Sequence, residues 1–193
     1  MKNKFDPKKL QKLNNPKRLK DIPPKYIRSK LGLNVSDVMV EIGAGTAFFS
    51  IAFLQELNPS MLYACDLSDV MINWIRENVS PQYPNIIPMK NDEYGVPLED
   101  NFADLVFMIA LHHELEDASR MLLESYRVLK PGGTIFIVDW KKEEMPEGPP
   151  VSIRCVPEQV RDQLVASGFQ SVDMDNGLPK HFLVAAKKPM TLS

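Results

Sequence analysis

Short apolar runs without polar alternation recur along the chain, separated by stretches whose apolar positions repeat at helical spacing. Runs at residues 38–42, 61–66, 103–111 and 134–138 read as strands buried on both faces, as in a parallel sheet. A shorter run at 85–89 reads as a third strand between the second and fourth. Helical stretches fall between them. One runs from Ala47 to about Leu57 and stops at Asn58-Pro59. The next carries Val70, Met71, Trp74 and Ile75 on one face, has Ser68 placed as N-cap, and ends at Ser80-Pro81. A third spans 118–129, and a fourth starts at Pro157 and closes at Gly168. The chain then changes rhythm. Runs at 169–174 and 181–186 are joined by a short Asn-Gly hairpin at 175–179. An alternating βα body that ends in an antiparallel pair predicts one doubly wound α/β domain, its last strand inserted antiparallel. Ahead of it, Ile27 and Leu31 sit on one face of a helix ended by Gly32, residues 8–13 make a short helical segment, and 34–37 is a polar turn. Residues 141–151 form a charged, proline-rich loop.

Composition changes this picture in two places. No apolar run reaches the roughly 18 residues of a membrane span, no basic-then-apolar leader opens the chain, and two cysteines make no disulfide framework, so the expected setting is cytoplasmic and reduced. Charge is unevenly placed. Residues 1–30 hold nine lysines and two arginines against two aspartates, a balance of +9, which leaves −11 on the rest of a chain of net charge −2. This arm reads as a solvated leader folded back on its acidic body, as a lid, or as a nucleic-acid contact. It has several prolines and no aromatic-interleaved repeat, which disfavours the last.

Candidate chemistry starts at Glu41-Ile42-Gly43-Ala44-Gly45-Thr46-Ala47. Two glycines between a buried strand and a helix N-terminus form a turn that a nucleotide-type cofactor can approach closely. A dinucleotide turn wants a third glycine where Phe48 stands, which argues against nicotinamide or flavin. The pattern resembles motif I of class I S-adenosylmethionine (SAM)-dependent methyltransferases, with Ala47 where a glycine is common. Arg127-Val128-Leu129-Lys130-Pro131-Gly132-Gly133 resembles a string of the small methyltransferases related to the ubiquinone and menaquinone C-methyltransferases, the methyltransferase domain 11 type. That string is structural: a helix end, a stop and a turn into the next strand.

The resemblance implies a seven-stranded sheet of order 3-2-1-4-5-7-6 in a Rossmann-like domain spanning 31–188, and SAM as cofactor. Carried over by motif, the cofactor contacts fall on Glu41, Gly43, Ala44, Gly45, Thr46, Asp66, Leu67, Met71, Asn91, Asp92, Glu93 and Ala110. Asp66 also stands out by itself. It ends the second strand, where a carboxylate can accept both ribose hydroxyls; otherwise it caps the next helix. Asn91 and Asp92 share the adenine assignment, Asn91 standing where an aspartate is usual.

Ile109-Ala110-Leu111-His112-His113-Glu114-Leu115, at the carboxyl end of the fourth strand, resembles an L-H-H string of the same family. His113 is either a base, with Glu114 or Asp139 orienting its ring, or a packing residue; His112 then points to the core or a neighbouring helix. No metal is expected, since adjacent side chains at a strand end point apart. Asp139-Trp140 faces the same crevice, Trp140 flooring a substrate pocket or covering the core edge. Cys65 reads as a small buried hydrophobe and Cys155 is unassigned; two cysteines are too few for arsenite methylation. The expected function is methyl transfer to a small molecule with release of S-adenosylhomocysteine. A non-catalytic SAM-binding regulator or scaffold and an RNA methyltransferase using the arm are the alternatives, the latter weakened by the lack of an N-P-P-Y string. No feature of the sequence fixes an oligomeric state.

Overall fold

A computed structural model describes residues 10–32 and 37–190, with the backbone alone for Leu10 and Gln11. Residues 1–9 of the arm and most of the turn expected at 34–37 lie outside the described residues. Seven strands, β1 (Val38–Ile42), β2 (Met61–Asp66), β3 (Ile86–Lys90), β4 (Ala103–Ile109), β5 (Leu129–Trp140), β6 (Gln170–Asp175) and β7 (His181–Lys187), form one sheet in the order β3-β2-β1-β4-β5-β7-β6. β1 pairs parallel with β2 and β4, β2 with β3, and β4 with β5. β7 lies antiparallel between β5 and β6. The order reverses at β1 and β4, whose carboxyl ends therefore diverge and leave a crevice for a ligand.

Helices cover both faces. α3 (Pro24–Leu31), α4 (Phe48–Leu57) and α5 (Asp69–Asn78) belong to one side, and α6 (Ala118–Val128) and α7 (Pro157–Ala166) to the other. The first layer is centred on Phe53, which packs against Phe107 and Phe136 with ring centroids 5.1 and 5.3 Å away. Met108, Leu122, Ile137 and Leu164 anchor the second. Strands buried on both faces give the unbroken apolar runs in the sequence. Two one-turn helices, α1 (Leu10–Leu13) and α2 (Arg18–Asp21), precede α3.

Two local expectations are corrected. The helix-stop string is not a turn outside the sheet. β5 begins at Leu129, directly after α6, and Leu129 already pairs with Ala103. The register then shifts before Leu105 meets Thr134, so Pro131 and the glycines make a bulge within the strand. Gly132 and Gly133 also exchange hydrogen bonds of 2.9 Å with Lys188, which extends the β5–β7 pairing through the bulge. Ser68 occupies the N-cap position of α5, but its side chain makes no capping bond. The Ser68 N–H is instead donated to Asp66.

Candidate functional site

The turn after β1 is held from below by backbone. The N–H groups of Gly43 and Ala44 both donate to the Cys65 carbonyl at 2.9 Å, which ties the β1 turn to the end of β2. Gly43 and Gly45 have φ of +76° and +57°. A Cβ on Gly43 would come within 2.6 Å of the Leu111 side chain, so this glycine lets the loop after β4 close on the turn. Ala47 also sits at φ +59°, the left-handed region where alanine costs roughly 1–2 kcal/mol; this accounts for a glycine being common at that place. Glu41 is 2% exposed and bonded to the Ser50 hydroxyl. Burial pushes its carboxyl up to about 8, against the Ser50 bond and the Arg18 charge.

Asp66 is the hinge between the turn and the second loop. Its Oδ2 accepts the Gly45 N–H and its Oδ1 the Ser68 N–H, both at 2.8 Å. Burial raises its pKa, and the two N–H donors and Lys90 pull partly the other way. Each oxygen retains a lone pair for a further donor. At the end of β3 a cavity of about 370 Å³ opens between Lys90, Asn91, Asp92, Gly95, Val96 and Pro97. Asn91 is 4% exposed, and its Oδ1 has no partner among the described residues while its Nδ2 donates to the Asp92 carbonyl at 2.6 Å. Asp92 is turned to its own loop, where Oδ1 accepts the Tyr94 N–H at 2.8 Å. Of the other expected contacts, Thr46, Met71 and Ala44 are buried, Leu67 is exposed, Glu93 is half-buried, and Ala110, directly after β4, has φ +54°. A glycine turn open to a ligand, a carboxylate at the β2 end and an orphaned buried acceptor beside a cavity fit an adenosine-bearing cofactor.

The carboxyl ends of β4 and β5 lie side by side, Ile109 opposite Val138. Asp139 lies at the end of β5, and His113 in the one-turn segment His112–Glu114 that follows β4. His113 Nδ1 is 2.7 Å from Asp139 Oδ1, and Asp139 Oδ2 accepts the His113 N–H at 3.0 Å. The Trp140 N–H donates to Oδ1 at 2.7 Å, so three N–H groups converge on one buried carboxylate. A carboxylate only accepts, which places the His113 proton on Nδ1 and a lone pair on Nε2. Glu114 Oε1 lies 3.6 Å from that Nε2. Burial works against the His113 imidazolium, but the Asp139 bond and charge and the Glu114 charge outweigh it and raise its pKa above 6.5. His112 points the other way and contacts Gln163 Oε1 of α7 at 2.8 Å, and burial lowers its pKa.

Trp140 lies between two groups that sequence reasoning passed over. Arg154 sits over its ring at 5.6 Å, and His181, its β7 register partner, is 4.3 Å away centroid to centroid. Trp140 therefore covers a packed edge. Arg154 is 3% exposed, and its guanidinium makes five hydrogen bonds, all to the carbonyls of Lys141, Glu143, Glu147 and Pro149. It folds residues 141–150 over the end of β5. His181 is buried with no partner at Nδ1 among the described residues, and burial lowers its pKa to about 4. Backbone carbonyls leave no signature in a sequence, which is why Arg154 was not legible there.

The arm lies against the same edge. The Thr46 hydroxyl donates to Asn14 Oδ1 at 2.8 Å, and a Cβ on Gly45 would stand 3.1 Å from Leu13. Arg18 stacks on Phe49 at 4.6 Å. Lys180, at the β7 entry, pairs with Asp21 of α2 at 2.8 Å and with Glu147 of the loop after β5, joining arm, loop and hairpin. Among the described residues there is no cluster suited to a metal ion, and no helix is long and apolar enough to cross a membrane.

Comparison with known proteins gives the same picture by another route. A family described as a methyltransferase domain matches residues 40–137. The uncharacterized methyltransferase YdaC of Bacillus subtilis is 26% identical over 166 residues, covering 84% of this chain and 90% of that protein. A demethylmenaquinone methyltransferase of Listeria monocytogenes is 32% identical over 124 residues, 63% of this chain and 51% of that enzyme. The crystal structure of a SAM-dependent methyltransferase from Aquifex aeolicus superposes with a TM-score of 0.88 at 31% identity, over 95% of this chain and 98% of that one.

Proposed function

We propose, for a chain that belongs to the methyltransferase-domain family, that it methylates a small molecule with His113 as the base that takes the acceptor's proton. The chain is a SAM-dependent methyltransferase. When bound, SAM supplies a methyl group on a sulfonium centre and leaves as S-adenosylhomocysteine. The observation that carries the role of His113 is its 2.7 Å contact with Asp139 in a pair whose side chains are 3% and 1% exposed. Asp139 fixes the tautomer and leaves Nε2, 3.6 Å from Glu114 Oε1, as the lone pair that can take a proton. Nε2 takes the proton of a hydroxyl, or of another acidified acceptor atom, as that atom bonds to the methyl carbon. Asp139 and Glu114 then stabilise the imidazolium. Such a base contributes about 10²–10⁴ in rate, and in-line positioning supplies roughly 7–11 kcal/mol more.

In this reading the ribose is held by Asp66 and the adenine amino group by Asn91, whose orphaned Oδ1 favours it over the engaged Asp92. Glu41, Gly43, Ala44, Gly45, Thr46, Leu67, Met71, Glu93 and Ala110 line the remainder. Residues 31–188 are the catalytic domain and the arm its lid, a role supported by the Thr46–Asn14 and Lys180–Asp21 contacts. The clasp of arm and loop over the strand ends favours a compact acceptor over a polymer. A cytoplasmic setting accords with the free Cys65 and Cys155. The test is release of S-adenosylhomocysteine by purified protein across a panel of small hydroxylated and amino acceptors, with RNA as a comparison. Release with a small acceptor is expected; release with RNA alone would overturn the reading.

A further inference from the structure

Arg18 has an unusual position for a residue of a lysine-rich arm. It is half-buried, and its guanidinium lies over the Phe49 ring at 4.6 Å and near the Phe48 ring at 5.5 Å. Both rings start α4, directly after the cofactor turn. Among the described residues, the one hydrogen bond of its guanidinium runs from Nη1 to the Leu13 carbonyl at 2.6 Å. No carboxylate lies within ion-pair reach among the described residues. Every other described arginine has a carboxylate within 4.0 Å, as Arg28, Arg127 and Arg161 do, donates to the side chain of a neighbour, as Arg76 does, stacks on a surface tyrosine, as Arg120 does, or is saturated by carbonyls, as Arg154 is. Burial lowers the Arg18 pKa, with the Glu41 charge pulling the other way, and burial pushes the Glu41 carboxyl itself up to about 8. With no carboxylate in contact, the guanidinium is largely desolvated and has no ion-pair partner among the described residues, an arrangement that is costly unless an anion completes it.

The direction of the cofactor says which anion. The orphaned Asn91 acceptor marks the β3 end of the site and Asp66 the β2 end. A ligand that enters there and continues across the β1 turn reaches the side where Asn14 touches Thr46 and Arg18 stacks on α4. The methionyl end of SAM carries its only negative group. We propose that Arg18 receives the carboxylate of the cofactor's methionyl end, so that binding the cofactor and seating the arm on the turn are one event. The planar fork of a guanidinium matches a carboxylate with two parallel donors, which a lysine cannot do. The proposal rests on the assignment of the Asp66–Asn91 crevice to the adenosine half.

The test compares two ligands on the full chain: S-adenosylhomocysteine and its decarboxylated analogue, S-adenosyl-3-thiopropylamine, which differ only in the carboxylate. Calorimetry on the wild type should show S-adenosylhomocysteine binding about tenfold or more tightly than the analogue. In Arg18→Gln and Arg18→Ala that preference should vanish, through loss of S-adenosylhomocysteine affinity, while the analogue binds within about twofold of wild type. Retained analogue binding also shows that the variants are folded. Arg18→Lys should restore only part of the preference. Equal weakening of both ligands would make Arg18 a structural staple of the arm and overturn the proposal, as would an unchanged preference. A wild type that prefers S-adenosylhomocysteine while Asp66→Ala binds both ligands normally would leave Arg18 intact and overturn the crevice assignment instead.

Discussion

His113, in the turn after β4, and Asp139, at the end of the adjacent β5, are 26 residues apart in sequence and meet through a 2.7 Å contact between Nδ1 and Oδ1 with almost no solvent at either side chain. The same carboxylate takes the backbone N–H of His113 and of Trp140, so both partners are fixed to the main chain. A ring held this tightly at one nitrogen presents the other in one direction.

His113→Ala should lower turnover by roughly 10²–10⁴ and leave SAM affinity within about twofold. The pH dependence follows from the direction of the shift. With its pKa raised above 6.5, His113 is protonated and inactive as a base below that pKa, so the rate should rise with pH through a limb above 6.5. That limb should be absent in the variant. Asp139→Asn, which cannot stabilise the imidazolium, should move the limb to lower pH as it lowers the rate. Steady-state kinetics across pH, with SAM affinity measured separately, distinguishes this from a packing role, which predicts weaker SAM binding and turnover per bound cofactor nearly unchanged.

Asp66→Ala should lose roughly 2–4 kcal/mol of SAM affinity, because each charge-assisted bond to a ribose hydroxyl is worth about 1.5–3 kcal/mol. It should also lower thermal stability in the absence of ligand, since the Gly45 and Ser68 N–H groups lose their acceptor. Calorimetric titration and a melting curve on one variant separate the two effects. A lower melting temperature with unchanged affinity would limit Asp66 to joining the two loops.

Arg154→Ala should be among the more destabilising single changes outside the apolar core, by about 3 kcal/mol or more, because it removes the shared donor of four carbonyls of one loop, of which Lys141 alone keeps another, the Glu143 N–H. Arg154→Lys should not rescue it, since a lysine cannot reach in three directions from one plane. Amide exchange should localise the loss of protection to residues 141–155. An unaltered loop would mean that the ion pair of Lys180 with Glu147 holds it unaided.

The hydrophobic pattern alone determined the architecture. Strands buried on both faces must be continuously apolar, and helices over them must repeat at 3.6 residues, so strand count, parallel body and antiparallel finish were all written in residues 38–186. The cofactor turn was equally legible, since a ligand approaching backbone requires glycine at particular places. Pairings were not. Orienting His113 requires Asp139, but the sequence offered Glu114 as readily, and only the register of β4 against β5 selects between them. Preferring Asn91 to Asp92 for the proposed adenine contact needs the folded loop, because the difference is which acceptor oxygen the backbone already engages. Arg154 and Arg18 were invisible for the same reason. One bonds carbonyls, which every residue has, and the other is distinguished by a carboxylate it lacks. Periodicity records burial, which is a property of each residue in turn; partnership between residues distant along the chain is decided only when the tertiary fold sets the distances.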